Sequence, residues 1–198
     1  MTAPLILASA SPARTRLLTD AGIAHTVQVS DADEDALTAA AGSITPAETA
    51  LLLARAKAES VAAHTPGAFV LGCDSVFELD GVAYGKPWEP AVARERWLSM
   101  RGRSGVLHTG HWLVGEGSAH GELTSAVVTF ENISDADIDA YVATGEPLQV
   151  AGAFTIDGLA GAFITGIEGD PHTVVGLSIS TLRRLLAKSG VAITSFWA

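Results

Sequence analysis

One cysteine, three lysines and few aromatic residues are what this sequence is short of, and each shortage excludes something. Cys73, alone, can form neither an intrachain disulfide nor a cysteine-based zinc site, which suits a reducing compartment. No uninterrupted apolar stretch approaches the roughly 20 residues that a bilayer span needs, so no membrane association is expected. The start, Met1-Thr2-Ala3-Pro4, has no basic segment, and Leu5–Ala10 is too short for a signal-peptide core; a cytoplasmic location is the expectation. With 12 Lys and Arg against 22 Asp and Glu, the formal net charge is -10, and the clustered cations that grip a nucleic-acid backbone are missing. No nucleic acid polymer is expected as a partner. Small anions stay open, because local charge decides their binding. The positions of Lys57, Lys86, Lys188 and the arginines are therefore informative.

What is present describes an ordinary globular chain: 198 residues, 48% of them hydrophobic, enough to bury one core and too apolar for disorder. Leu5–Ala8 reads as a strand that turns at Ser9-Ala10-Ser11-Pro12 into a helix, with Ser11 as N-cap, Pro12 at the first position and Gly22 past the end. Asp31–Asp35 reads as an acidic loop. Thr45-Pro46-Ala47-Glu48 is a capping box with an initial proline, which predicts an alanine-rich helix over Pro46–Ala63. Phe69–Cys73 is a buried strand, and Val76–Leu79 with Val82–Tyr84 forms a hairpin around Asp80-Gly81. A helix over Pro90–Met100, strands near Leu107–Val114 and Leu123–Phe130, a helix opened by Ser134-x-x-Asp137 and a final surface helix over Ser178–Lys188 follow. The alternation predicts an α/β domain with a mixed sheet flanked by helices.

Several residue groups carry chemistry. Ser9, Ser11 and Arg14 stand at a strand-to-helix turn, where unpaired N–H groups and the helix dipole favour a phosphate; the same segment also reads as a capped surface helix. Asp74, placed by this reading at the end of a buried strand, suits a metal ligand or a proton acceptor, or simply a turn cap. Lys57 lies within the alanine-rich helix and Lys86 just past the hairpin. His108 and His111 sit three apart on one strand, on opposite faces, which does not make a metal pair. Cys73 reads as packing rather than a nucleophile, and the four tryptophans as core or interface residues.

Taken in order, the motifs resemble a known family. Leu7-Ala8-Ser9-Ala10-Ser11-Pro12-x-Arg14, Asp33-Glu34, Leu53-Ala54-x-x-Lys57-Ala58, Gly72-x-Asp74-Ser75 and Gly85-Lys86-Pro87 are similar to the tags of the Maf nucleoside triphosphate pyrophosphatases. The likeness continues through Thr109-Gly110, Ile138-x-x-Tyr141, Gly145-Glu146-Pro147, Ala151-Gly152-Ala153-Phe154, Ile167-Glu168-Gly169 and Val174-Val175-Gly176-Leu177, and so spans nearly the whole chain. The resemblance implies a single two-lobed α/β domain with a cleft, related to inosine triphosphate pyrophosphatases, and a homodimer. It also implies hydrolysis of a nucleoside triphosphate to the monophosphate and pyrophosphate, with Mg²⁺ or Mn²⁺. By the same match Asp74 looks like the catalytic acidic residue, Ser9, Ser11, Arg14, Lys57 and Lys86 like the substrate-binding set, and Glu34 with Asp74 like the metal ligands. Ala13, Ser75 and Asp157 look like the positions that set base choice.

The chemistry agrees with that match. Departure of pyrophosphate from the α-phosphorus builds negative charge, which calls for cations and N–H donors more than for a covalent nucleophile. Two departures from the pattern concern the base. The family often carries paired arginines after Ser-Pro, whereas Ala13 stands first here; and the glutamine of the thymidine- and uridine-directed branch is replaced by Asp157. An ionised carboxylate only accepts hydrogen bonds, so as a base contact Asp157 is expected to favour an edge rich in donors, as in guanine or cytosine, over thymine and uracil; the other reading is that it closes a turn before Gly158. A competing reading is a regulatory nucleotide-binding protein of cell division with little turnover. A serine hydrolase built on Ser9 or Ser11 lacks the G-x-S-x-G elbow.

Overall fold

Apolar runs become central strands because every backbone N–H and C=O removed from water needs a ladder partner. In the computed structural model, which describes residues 3–198, β1 (Leu5–Ala8) is buried throughout and β3 (Phe69–Leu79) nearly so. β2 (Thr26–Val27) pairs with β1 in parallel. β4 (Val82–Tyr84), β5 (Ser104–Gly115), β6 (Ser118–Phe130) and β7 (Ile164–Glu168) complete a mixed sheet ordered β2-β1-β3-β5-β6-β7, with β4 paired to β3. β1 and β3 are parallel; β5, β6 and β7 follow antiparallel. This is the expected α/β class.

Local signals account for the helix starts. α1 (Pro12–Asp20), α3 (Pro46–Ala62), α4 (Pro90–Met100) and α6 (Pro171–Val175) each open on a proline, whose fixed φ suits the first turn and whose missing N–H costs nothing there. Reciprocal capping boxes form at Thr45/Glu48, before α3, and at Ser134/Asp137, before α5 (Asp135–Ala143). Asp80 and Gly81 take φ of 53° and 77°, the double left-handed conformation of a type I′ hairpin turn. No helix among the described residues is long and apolar enough to cross a membrane.

Four expectations change. The acidic stretch Asp31–Asp35 is not all loop: Asp33 caps α2 (Glu34–Ala41), accepting from the Ala36 N–H at 3.0 Å, so Glu34 starts a helix. β3 does not stop at Cys73 but runs unbroken to Leu79, because Asp74 and Ser75 find polar partners from distant segments. β5 and β6 are longer than their apolar centres and meet in a hairpin. The last helix, α7 (Ile179–Lys188), is more than a surface helix, burying Leu182, Leu185 and Leu186.

Separate clusters of buried side chains lie along the long strands. One gathers Phe77, Trp97, Phe130 and Phe154 with α4 and α5, its rings meeting edge to face. Another packs Leu7, Leu71 and Leu113 against α1 and α7, while Ile6 and Val70 face α3 on the opposite side. The alanines of α3 let it lie very close to the sheet. A Cβ on Gly72 would fall 2.1 Å from the Ala54 carbonyl oxygen and 2.7 Å from the Ala58 nitrogen. Gly72→Ala must therefore push backbone away from backbone. It is expected to cost about 1–3 kcal/mol, the usual range for an overpacked core, read as a lower urea midpoint at unchanged slope; a midpoint equal to the wild type would show that α3 yields freely.

Candidate active site

One edge of β3 changes partner halfway along. β1 covers it from Phe69 to Gly72, and β4 from Phe77 to Leu79. Among the described residues no strand covers that edge at Cys73–Val76. Ser9, Arg14, Glu34, Lys57, Asp74 and Ser75 of the sequence-predicted set meet at this notch. The Ser9–Ser11 turn leaves the end of β1 there, and β4 stops pairing at Phe77↔Tyr84, after which the chain leaves the sheet through Gly85 and Lys86. Alternation along β3 then divides the set, for Asp74 and Ser75 face opposite sides of the sheet.

On the α3 side, Lys57 Nζ lies 2.6 Å from Asp74 Oδ1 and 2.9 Å from Glu34 Oε1. Asp74 and Lys57 are both largely buried, while Glu34 is half exposed at the start of α2. Burial pushes the Asp74 carboxyl above its ordinary range, opposed first by Lys57 and then by Arg14. Desolvation outweighs both cations. Two carboxylates converging on one ammonium also form an oxygen-rich pair for a hard cation, although no group of three or more His, Cys, Asp or Glu forms a metal cluster among the described residues.

On the other side, the Arg14 guanidinium is buried and its donors reach three segments. Nε donates to the Gly176 carbonyl at 2.7 Å, and the two terminal nitrogens to Ser9 Oγ at 3.0 Å and Ser75 Oγ at 3.1 Å. The chain of hydroxyls continues from Ser75 to Thr109 Oγ1 at 2.9 Å, which donates to the Thr173 carbonyl at 2.8 Å. Ser9 Oγ also accepts the Ser11 N–H at 3.2 Å; its own partners include no histidine, which disposes of a serine nucleophile of the usual kind. Ser11 occupies the N-cap position of α1 without a side-chain capping bond. His111, beneath this network, is held neutral by burial and by Arg14, its pKa lowered to about 4, and its Nε2 accepts the Ser178 N–H at 2.8 Å.

The remaining predicted residues are dispersed or peripheral. Lys86 is exposed, with Nζ 5.2 Å from the Trp88 ring centre, and makes no contact with the Lys57–Asp74 pair. Ala13 and Asp157 line one cavity of about 290 Å³ together with Arg16, Asp20, Ile156 and His172. Thr155 Oγ1 donates to the Asp157 carboxylate. A larger hollow of about 460 Å³, walled by Ile23, Ile179, Ile193 and Trp197, contains none of the predicted residues. His108 bonds Ser125 and Glu78 on the face opposite His111, so the two histidines do not meet. Burial raises the Cys73 thiol to about 12, which leaves it an inert packing group.

The family profile described as Maf-like protein matches residues 4–189. The chain belongs to the Maf family. Full-length relatives agree: a protein of Streptomyces coelicolor is 54% identical over 98% of this chain and 94% of its own length. One from Leifsonia xyli subsp. xyli is 50% identical over 98% and 96%, and one from Nocardia farcinica 50% over 100% and 98%. All three carry the name nucleoside triphosphate pyrophosphatase. In this Maf protein the sequence reading missed the Gly176 carbonyl, Thr109 and Thr173 as anchors of Arg14. Their motifs, Thr109-Gly110 and Val174-Val175-Gly176-Leu177, are visible in the sequence, but nothing local ties them to a residue of α1.

Proposed function

We propose that this protein hydrolyses a nucleoside triphosphate to the monophosphate and pyrophosphate. The observation that carries the reading is the notch at Cys73–Val76, where a buried carboxylate, Asp74, is joined to Lys57 while the phosphate-suited turn Ser9–Ser11 is held by Arg14. Ligands of open α/β sheets settle where strand connections diverge at the carboxyl ends of strands, and the end of β1 is such a place. The same reading takes the chain as one two-lobed domain acting in the cytoplasm as a homodimer.

Asp74 accepts the proton of the water that attacks the α-phosphorus, a role its raised pKa favours. As the P–O bond to the β-phosphate breaks, charge accumulates on the departing pyrophosphate. Lys57 and Lys86 meet it with N–H donors, and the N-terminus of α1 adds its partial positive charge. Arg14, with most of its donors committed to the protein, holds Ser9 and Ser75 in place more than it reaches outward. Asp74 and Glu34 would hold Mg²⁺ or Mn²⁺, since two carboxylates with water and phosphate oxygens suit a small hard cation. When bound, such an ion neutralises phosphate charge.

The cavity between Ala13 and Asp157 receives the base, and Arg16 offers donors on the same wall. Pyrophosphate release from a panel of nucleoside triphosphates, with Mg²⁺ or Mn²⁺, tests both parts. Release led by a base with a donor-rich edge is expected. A ranking led by dTTP or UTP overturns the role of Asp157, and tight nucleotide binding without any release favours a regulatory binding protein instead.

A further inference from the structure

Asp157 is exposed between the buried Phe154 and Ala160, with Ile156 packed on the core and Thr155 Oγ1 donating to its carboxylate, and it must hold that carboxylate in one direction to discriminate bases. On the downstream side of Asp157 the backbone is held by a second carboxylate, Glu146. Its Oε1 accepts the Tyr141 hydroxyl at 2.9 Å and the Ala160 N–H at 3.2 Å, and its Oε2 accepts the Leu159 N–H at 3.0 Å. Leu159 and Ala160 are the first residues of the single-turn segment Leu159–Phe163, so Glu146 satisfies N–H groups left free at its start. Three donors face the carboxylate, a set that suits an acceptor-only group and that an amide cannot satisfy. The fit is close: a Cβ on Gly158 would fall 2.6 Å from Oε2, so a side chain there must push the Glu146 carboxylate aside. Burial and the Glu146 carboxylate both push the Tyr141 phenol upward, keeping it protonated as a donor.

The segment that carries Glu146 also braces the Lys86 loop. Trp88 donates its N–H to the Leu148 carbonyl at 3.0 Å, and Gly152 donates to the Gly85 carbonyl at 3.2 Å. One stretch of backbone thus holds the loop of the candidate base reader and the loop of a candidate phosphate cation.

We infer that Glu146 is a positioning residue for base selection, fixing the direction of Asp157 by clamping the backbone of Leu159 and Ala160. The inference rests on the reading of Asp157 as the base-contacting group. It is tested by kcat and KM for the same nucleotide panel in wild type, Asp157→Asn, Glu146→Gln, Gly158→Ala and Tyr141→Phe. Glu146→Gln is expected to shrink the ratio of kcat/KM between best and worst bases by about 3–10-fold, the worth of one lost hydrogen bond, mainly through KM. Gly158→Ala keeps every hydrogen-bonding group and displaces the carboxylate; it is expected to shrink the ratio similarly, and it serves if Glu146→Gln does not fold. Tyr141→Phe removes a donor that lies off the loop and is expected to leave the ratio unchanged. If Asp157→Asn changes the ranking while Glu146→Gln, or Gly158→Ala where that variant must stand in, does not, the inference is overturned and the base reading stands. If Asp157→Asn leaves the ranking as it was, the base reading falls and takes the inference with it.

Discussion

Replacing Asp74 by asparagine is expected to lower the rate of pyrophosphate release at saturating nucleotide by about 10²–10⁴-fold, the usual contribution of a positioned general base. The amide has nearly the same shape, so packing beneath α3 is kept, but it cannot take a proton from water. Lys57 Nζ loses the charge of its partner at 2.6 Å, though the amide oxygen still accepts, and it keeps Glu34 at 2.9 Å, so the ammonium is not left alone. Asp74 is itself strained by burial, as its raised pKa states, and the neutral amide relieves that desolvation. Stability should therefore change little while turnover collapses. Single-turnover assays beside thermal unfolding separate the two effects. A variant that retains more than about a tenth of the wild-type rate would remove Asp74 from the chemistry, since so small a loss falls below what general-base catalysis supplies.

Arg14→Lys is expected to damage the fold itself. The guanidinium accounts for three hydrogen bonds to acceptors on three segments, Gly176, Ser9 and Ser75, at 2.7, 3.0 and 3.1 Å. A lysine carries a compact ammonium that cannot span the same fork. At least two of the acceptors lose a charged donor in a buried setting, where each such bond is worth about 1.5–3 kcal/mol. A net loss of about 3 kcal/mol is expected, or about 6–12 °C in melting temperature for a chain of this size. Turnover should fall as well, because Ser9 and Ser75 lose the group that orients them. A melting temperature within about 2 °C of the wild type, well under the shift that 3 kcal/mol implies, would mean that the acceptors find water or other donors instead.

Local structure was largely legible in the residues. Prolines at helix starts, the Thr45/Glu48 and Ser134/Asp137 boxes and the Asp80-Gly81 turn each act within a few residues, so their signals are written contiguously. The family motifs point to Ser9, Arg14, Lys57, Asp74 and Lys86 as site candidates, of which the structure links Lys57 with Asp74 and Arg14 with Ser9. Where the reading failed, the cause lay outside the local window. Asp74-Ser75 looked like the end of a strand because two polar residues in a buried run are costly without partners. The partners exist, but Lys57 lies 17 residues away from Asp74 and Arg14 lies 61 away from Ser75. The helix from Glu34 was hidden by its acidic start, although Asp33 caps it. Glu146 passed as one more family tag, since its donors at Leu159 and Ala160 lie 13 and 14 residues downstream.

By itself, then, the sequence determined the capped helix starts and the centres of the long strands, which family the chain resembles and which ionisable side chains are available. Only the tertiary structure decided that β3 runs past Asp74, that the notch opens between β1 and β4, and that Arg14 is bound inward while Lys57 joins two carboxylates. The physical reason is range: caps and turns are hydrogen bonds between near neighbours, whereas strand order and buried ion pairs are set by which distant groups can satisfy one another once water is excluded.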